Sequence, residues 1–109
     1  MIAVLIPAHN EEQLIGACLR SVALAARCAG LRGEAVQVFV ALDRCSDGTA
    51  GIVAAHGAQA IGLQSGNVGS ARAAAAQAAL AAGARWLACT DADSVVPANW
   101  LSAQLDCAS

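Results

Sequence analysis

The feature that most constrains this chain is a fourfold alternation of short apolar runs with longer helical stretches. Residues 2–6 (IAVLI) form a continuous apolar run, the pattern of a strand covered on both faces. Residues 36–42, 59–63 and 86–90 read as three further strands, the third of the four being the weakest. Between them, Asn10 is expected to cap a helix with Gln13 in the capping-box position. That helix places Ile15, Leu19, Val22 and Ala26 on one face, leaves Glu12, Arg20 and Arg27 outside, and ends at Gly30 and Gly33. A short helix over 49–56 stops at Gly57, and an alanine-rich helix over 70–82 stops at Gly83. Pro97 suits a first helical turn, with Trp100, Leu101, Gln104 and Leu105 following at helical spacing. Strict alternation predicts an α/β class, a Rossmann-like parallel sheet of about four strands with helices on both faces. Right-handed crossovers then bring every strand-to-helix loop to the carboxyl edge of the sheet, where ligands bind in open α/β folds.

With 109 residues there is room for a single domain, 1–109. The chain is 58% hydrophobic but only 3% aromatic, so its core is built from small side chains and its helices must approach closely. A formal net charge of −2 supplies no basic field for a phosphate backbone, which argues against nucleic acid as a partner. Met1 leads straight into the apolar run, without a basic start or a small-residue cleavage site. No apolar stretch reaches the roughly 20 residues of a membrane span before Gly, Arg or Asp breaks it. A cytoplasmic chain is expected, with peripheral membrane association open to it. The five cysteines are odd in number and contain no C-x-x-C pair, so they read as reduced thiols acting as small hydrophobes. Cys45 stands apart, in a polar loop beside Asp43.

The polar residues gather where the strands end: His9, Asn10 and Glu11 after the first, Asp43 after the second, Asp91 and Asp93 after the fourth. In a continuing strand Asp91 and Asp93 would point to opposite faces, so they converge only if the chain turns just after Thr90. Two carboxylates at such a turn suit Mg2+ or Mn2+, which take oxygen ligands and leave places for substrate phosphate. The alternative is a solvated turn with a helix-capping Asp. Asp43 could accept hydrogen bonds from a base or ribose, or bond the backbone of its own turn. His9 is either a ligand contact or an ordinary loop residue, and His56 reads as a helix C-cap. Arg72, placed in the first turn of the alanine-rich helix, opposes the helix dipole unless an anion sits near Gly66 and Gly69; the alternative is a solvent-facing arginine with its head bent away.

Four motifs in order then carry a resemblance. Val4 to Glu12 (VLIPAHNEE) resembles the opening of family 2 glycosyltransferases, with His9 where an aromatic is usual. Leu42 to Thr49 (LDRCSDGT) resembles their acidic strand end and S-x-D-G-T, with Leu42 in place of the first acid. Asn67 to Arg72 (NVGSAR) is similar to N-x-G-x-A-R, and Asp91-Ala92-Asp93 to D-x-D. The resemblance covers residues 2 to about 101 and implies a GT-A fold with a nucleoside diphosphate-sugar donor. It implies that Pro7, His9, Glu11 and Asp43 line the nucleoside pocket and that Arg72 sits near the diphosphate. Asp91 would reach the ribose or sugar, and Asp93 would hold a divalent metal, Mn2+ or Mg2+, that neutralises charge on the departing nucleoside diphosphate. The acceptor would attack the anomeric carbon with inversion. The family's general base lies downstream of the D-x-D, so it is expected beyond Ser109, with the acceptor half absent and the acceptor unidentified.

Two enzyme readings compete, and one that is not catalytic. Leu87 to Val96 also fits the D-x-D-x-V nucleophile motif of haloacid-dehalogenase-type phosphatases, but the chain has no lysine for that chemistry. A nucleotidyltransferase would want a glycine-rich loop where Pro7 to Asn10 stand. A truncated nucleotide-binding fragment would expose apolar surface and self-associate.

Overall fold

The computed structural model describes residues 1–108. Strands β1 (Ile2–Ala8), β2 (Val36–Asp43), β3 (Gln59–Leu63) and β4 (Trp86–Cys89) form one sheet in the order β3-β2-β1-β4. Every pairing is parallel. Between them run α1 (Ile15–Ala26), a 3-10 turn (Ala29–Leu31), α2 (Thr49–Ala55) and α3 (Val68–Ala81), and α4 (Trp100–Ala108) follows β4. The α/β expectation, with helices on both faces of a four-stranded parallel sheet, therefore holds.

The central strand shows why. Residues Ile2 to Ile6 are buried on both faces because alternate side chains enter two separate cores. Ile2, Val4, Ile6 and Ala8 pack with Ile15, Leu19 and Val22 of α1, Val53 of α2 and Leu101 of α4. Ala3 and Leu5 face the other way, with Phe39 and Ala41 of β2, against α3. That helix presents only Ala71, Ala75 and Ala79 at full burial, one small residue per turn, so its axis can lie close to the sheet. Five large apolar side chains remain exposed: Leu14 and Leu24 at the start of and within α1, Val68 and Leu80 on α3, and Val95 after β4. No helix among the described residues is long and apolar enough to cross a membrane.

Four local expectations are corrected. Asn10 does not cap α1 and Gln13 forms no capping box. Asn10 is left-handed (φ 49°) and its side-chain oxygen accepts from Ser46 N across the loops at 2.8 Å. The carbonyl of Glu11 instead takes the first amides, Leu14 and Ile15, so α1 starts later, and Ala26 at its far end is half-buried. α3 starts two residues earlier than expected, at Val68, because Asn67 caps it by accepting from Ser70 N at 3.0 Å. Arg72 consequently sits in the second turn, where the dipole penalty has faded. Pro97 precedes α4 rather than lying in its first turn. His56 does cap α2, its Nδ1–H donating to the Ile52 carbonyl at 2.9 Å.

The sheet order fixes where a ligand would go. The chain winds from β1 to β2 to β3, then crosses back to place β4 on the other side of β1. Between β1 and β4 the winding reverses, which opens a crevice at the carboxyl ends of those strands.

Candidate functional site

A cavity of about 390 Å³ occupies that crevice. All four strand ends line it: Pro7, Ala8, His9 and Glu11 at and after the end of β1, Asp43 and Arg44 at the end of β2, Gly66 and Asn67 before α3, and Asp91 to Asp93 after β4. The size lies in the range of small-ligand pockets. Of the sequence candidates, Pro7, His9, Glu11, Asp43, Asp91 and Asp93 all border it. Arg72 is not in the lining, but it reaches in from α3 to donate to Asp91 at 3.1 Å.

The β4 end is a tight turn. The Thr90 amide still pairs with the Leu5 carbonyl at 3.1 Å, and Ser94 N then returns to the Asp91 carbonyl at 3.0 Å. The chain therefore turns after Thr90, as two converging carboxylates require. Ala92 is buried between the two acids, leaving Asp91 and Asp93 exposed. Helix α1 supports the turn from beneath. Cys18 Sγ–H donates to the Asp91 carbonyl at 3.4 Å, and Ser21 Oγ accepts from Val96 N at 3.0 Å. Burial first, then the negative charges of Asp93 and Asp91, push the Cys18 thiol up to about 11. It is an inert thiol. Alkylation at pH 8 should modify the exposed Cys89 and Cys107 promptly and reach Cys18 only on unfolding, as peptide mapping with and without denaturant would show.

The β1 and β2 loops are laced together. Thr49 Oγ1, fully buried, accepts from Glu11 N at 2.9 Å and donates to Asp47 Oδ1. Asp47 Oδ2 accepts from Glu12 N at 3.3 Å, and Glu12 Oε2 accepts from Gly48 N at 2.9 Å. A Cβ on Gly48 would stand 2.6 Å from that Glu12 oxygen, so a larger residue there would displace the Glu12 carboxylate. The Ser-Asp-Gly-Thr segment is thus a brace for the loop that carries His9 and Glu11. His9 Nδ1–H donates to the Asp43 carbonyl at 2.8 Å, which fixes the ring and leaves Nε2 without a partner among the described residues. Cys45 spends its thiol on the Ala8 carbonyl at 3.5 Å.

Asp43 is the most engaged residue of the site. It is buried at the end of β2, and its carboxylate accepts from Ser65 N (2.8 Å), Ser65 Oγ (2.7 Å), Gly66 N (3.0 Å) and Asn67 N (3.0 Å). The backbone groups it bonds belong to the loop before α3 and not to its own turn. Those donors, the Gly66 amide foremost, hold its carboxyl below the ordinary carboxylate value. Sequence reasoning missed Ser65 and Arg44. Ser65 carries no local signal, because it contacts Asp43 from 22 residues away.

The glycosyl transferase family 2 model matches residues 3–108, nearly the whole chain and every loop of this pocket. The chain belongs to that family. The membership displaces the phosphatase reading of Asp91 and Asp93. Among solved structures, this family 2 chain is similar to S. aureus TarS 1-349, with a TM-score of 0.77 and 21% identity over 96% of this chain and 31% of that one. Against the same protein in complex with UDP-GlcNAc the TM-score is 0.80 at 22% identity, covering 96% and 30%. Against its UDP complex the TM-score is 0.73 at 19% identity, covering 96% and 31%. The chain thus spans about a third of the TarS 1-349 chains and shares their fold. No curated protein sequence matches it.

Proposed function

We propose that the crevice binds a nucleoside diphosphate-sugar and that the chain serves sugar transfer from that donor to an acceptor. The observation that carries this reading is the convergence of four loops on one cavity, with a braced polar wall at one end and two exposed carboxylates at the other. Family membership and the UDP-GlcNAc and UDP complexes of the similar TarS structure support it.

In this reading Pro7, His9 and Glu11 flank the nucleoside, and Arg72 and Asp91 lie near the diphosphate and sugar. Among the described residues no group of three or more His, Cys, Asp or Glu is placed to hold a metal. The turn offers two carboxylates, and one of them already faces Arg72. Such a donor set fits a hard divalent ion, Mg2+ or Mn2+, that completes its shell with phosphate oxygens and water. Asp93, with Asp91, would hold it. The ion would supply charge neutralisation for the leaving diphosphate. The chain's own part is to brace the donor and to hold the Arg72 guanidinium, seated beside Asp91, where it would face the phosphates. The acceptor's base belongs to residues outside this pocket.

Calorimetric titration with UDP and GDP, with and without Mn2+, tests the reading on chain shown by circular dichroism to be folded. Binding should strengthen with Mn2+, and Asp93→Asn should weaken the metal-dependent binding at least about tenfold, the loss of one charge-assisted contact. A folded chain that binds neither nucleotide with Mn2+ present would sink it.

A further inference from the structure

At the β2–β3 end of the pocket, the acid expected to read a nucleoside has nothing left to offer. An ionised carboxylate has about four lone-pair sites, and those of Asp43 meet four donors from Ser65, Gly66 and Asn67. The neighbouring residue is in the opposite condition. Arg44 lines the same cavity, is exposed, and its guanidinium has no hydrogen bond or ion pair among the described residues.

Its backbone determines where that guanidinium lies. Arg44 is left-handed (φ 55°), a conformation that glycine adopts at lower cost, and its amide donates to the Leu63 carbonyl at 3.0 Å. This turns the side chain across the loop before α3. A Cβ built on Gly66 would fall 2.7 Å from Arg44 Nη1 and 3.5 Å from its Cδ, so the arginine occupies the space a larger residue at 66 would need.

The strand order sets the distance to the acidic turn. β2 and β4 flank β1, so Arg44 and the acidic turn are separated across the sheet by two strand spacings, about 10 Å, and lie at opposite ends of the pocket. A nucleoside diphosphate held by its phosphates at that turn extends its base toward the opposite end. Arginine has only donors there, in a planar fork. It can satisfy a carbonyl oxygen or a ring nitrogen but not an exocyclic amino group.

We propose that Arg44 reads the nucleobase, donating to the 4-oxo group of uracil or the 6-oxo group of guanine. Cytosine and adenine carry an amino donor where that oxo group stands, so a guanidinium placed against the oxo oxygen would face a donor instead of an acceptor. The proposal rests on the pocket being a nucleotide site.

The test is titration of the chain with UDP, GDP, CDP and ADP at constant Mn2+, for the unsubstituted chain, Arg44→Gly and Arg44→Lys. The unsubstituted chain should bind UDP over CDP, or GDP over ADP, by about tenfold, the discrimination of one good fork contact. Arg44→Gly should lose that margin while its thermal midpoint stays level or rises, because glycine suits the left-handed backbone. Arg44→Lys keeps the charge without the fork, so it should recover part of the affinity and little of the preference. Arg44→Gly with unchanged affinity and preference would overturn the proposal while leaving the donor site standing. Equal losses for all four nucleotides, or no base preference in the unsubstituted chain, would overturn it too. Failure of the unsubstituted chain to bind any nucleotide would remove both this proposal and the reading it rests on.

Discussion

Asp43→Asn is expected to leave the sheet folded and to dissolve one wall of the pocket. The substitution keeps the size of the side chain but replaces one acceptor oxygen with a donor. Two of the four donors now converging on the carboxylate would then face an NH2 group. Ser65, Gly66 and Asn67 lie in an exposed loop, so they would turn to water and the loop would loosen instead of the fold. Amide exchange at these three positions should accelerate at least about tenfold, with the β1 amides unchanged. Nucleotide affinity should fall by about 100-fold, since the wall, the Asn67 cap of α3 and the seat of Arg44 all hang on that carboxylate. Acid should mimic the substitution. Asp43 titrates below the ordinary value, so its contribution is full above 3.8 and is lost as pH falls through its lower folded value. Slow exchange at Ser65 to Asn67 in Asp43→Asn would show that the loop holds itself.

The largest effect on stability should come from Ile6→Ala. Ile6 is fully buried in the central strand, within the core that α1, α2 and α4 share. Truncation removes three carbons and leaves a cavity that strands paired on both sides cannot collapse to fill. Such changes cost about 2–5 kcal/mol, against a total of about 5–15 kcal/mol for a domain. For a chain of this size the thermal midpoint should drop by about 10–20 °C. Ile6→Val should cost about 0.5–1.5 kcal/mol, and Leu14→Ala, at an exposed position, within about 0.5 kcal/mol. Thermal circular dichroism of the three variants gives the order. A loss at Ile6→Ala no larger than at Leu14→Ala would mean that this core is loosely packed.

The two predictions draw on different levels of information. The burial of Ile6 was legible in the sequence, because an unbroken apolar run in a β/α alternation is covered on both faces. The same alternation placed His9, Glu11, Asp43, Asp91 and Asp93 at one sheet edge, and four short motifs identified the family. Each of these signals is local in sequence, as periodicity and strand ends are.

Partnership was not legible. Asn10 looked like a helix cap because the rule counts neighbours along the chain, yet its oxygen is taken by Ser46, 36 residues away. Asp43 was open to a ligand or to the backbone of its own turn, and its observed partners, Ser65 to Asn67, lie 22 to 24 residues away. Arg72 was placed against a helix dipole, whereas Asp91, 19 residues on, is what holds it. Arg44 drew no notice because a left-handed backbone at a non-glycine residue leaves no mark in the sequence. The sequence by itself determined the sheet, its two cores and the edge where polar groups collect, since hydrophobic periodicity depends only on near neighbours. Only the tertiary structure decided which of those polar groups are spent on bracing loops and which are left for a ligand, because a hydrogen bond closes over about 3 Å of space whatever the distance along the chain.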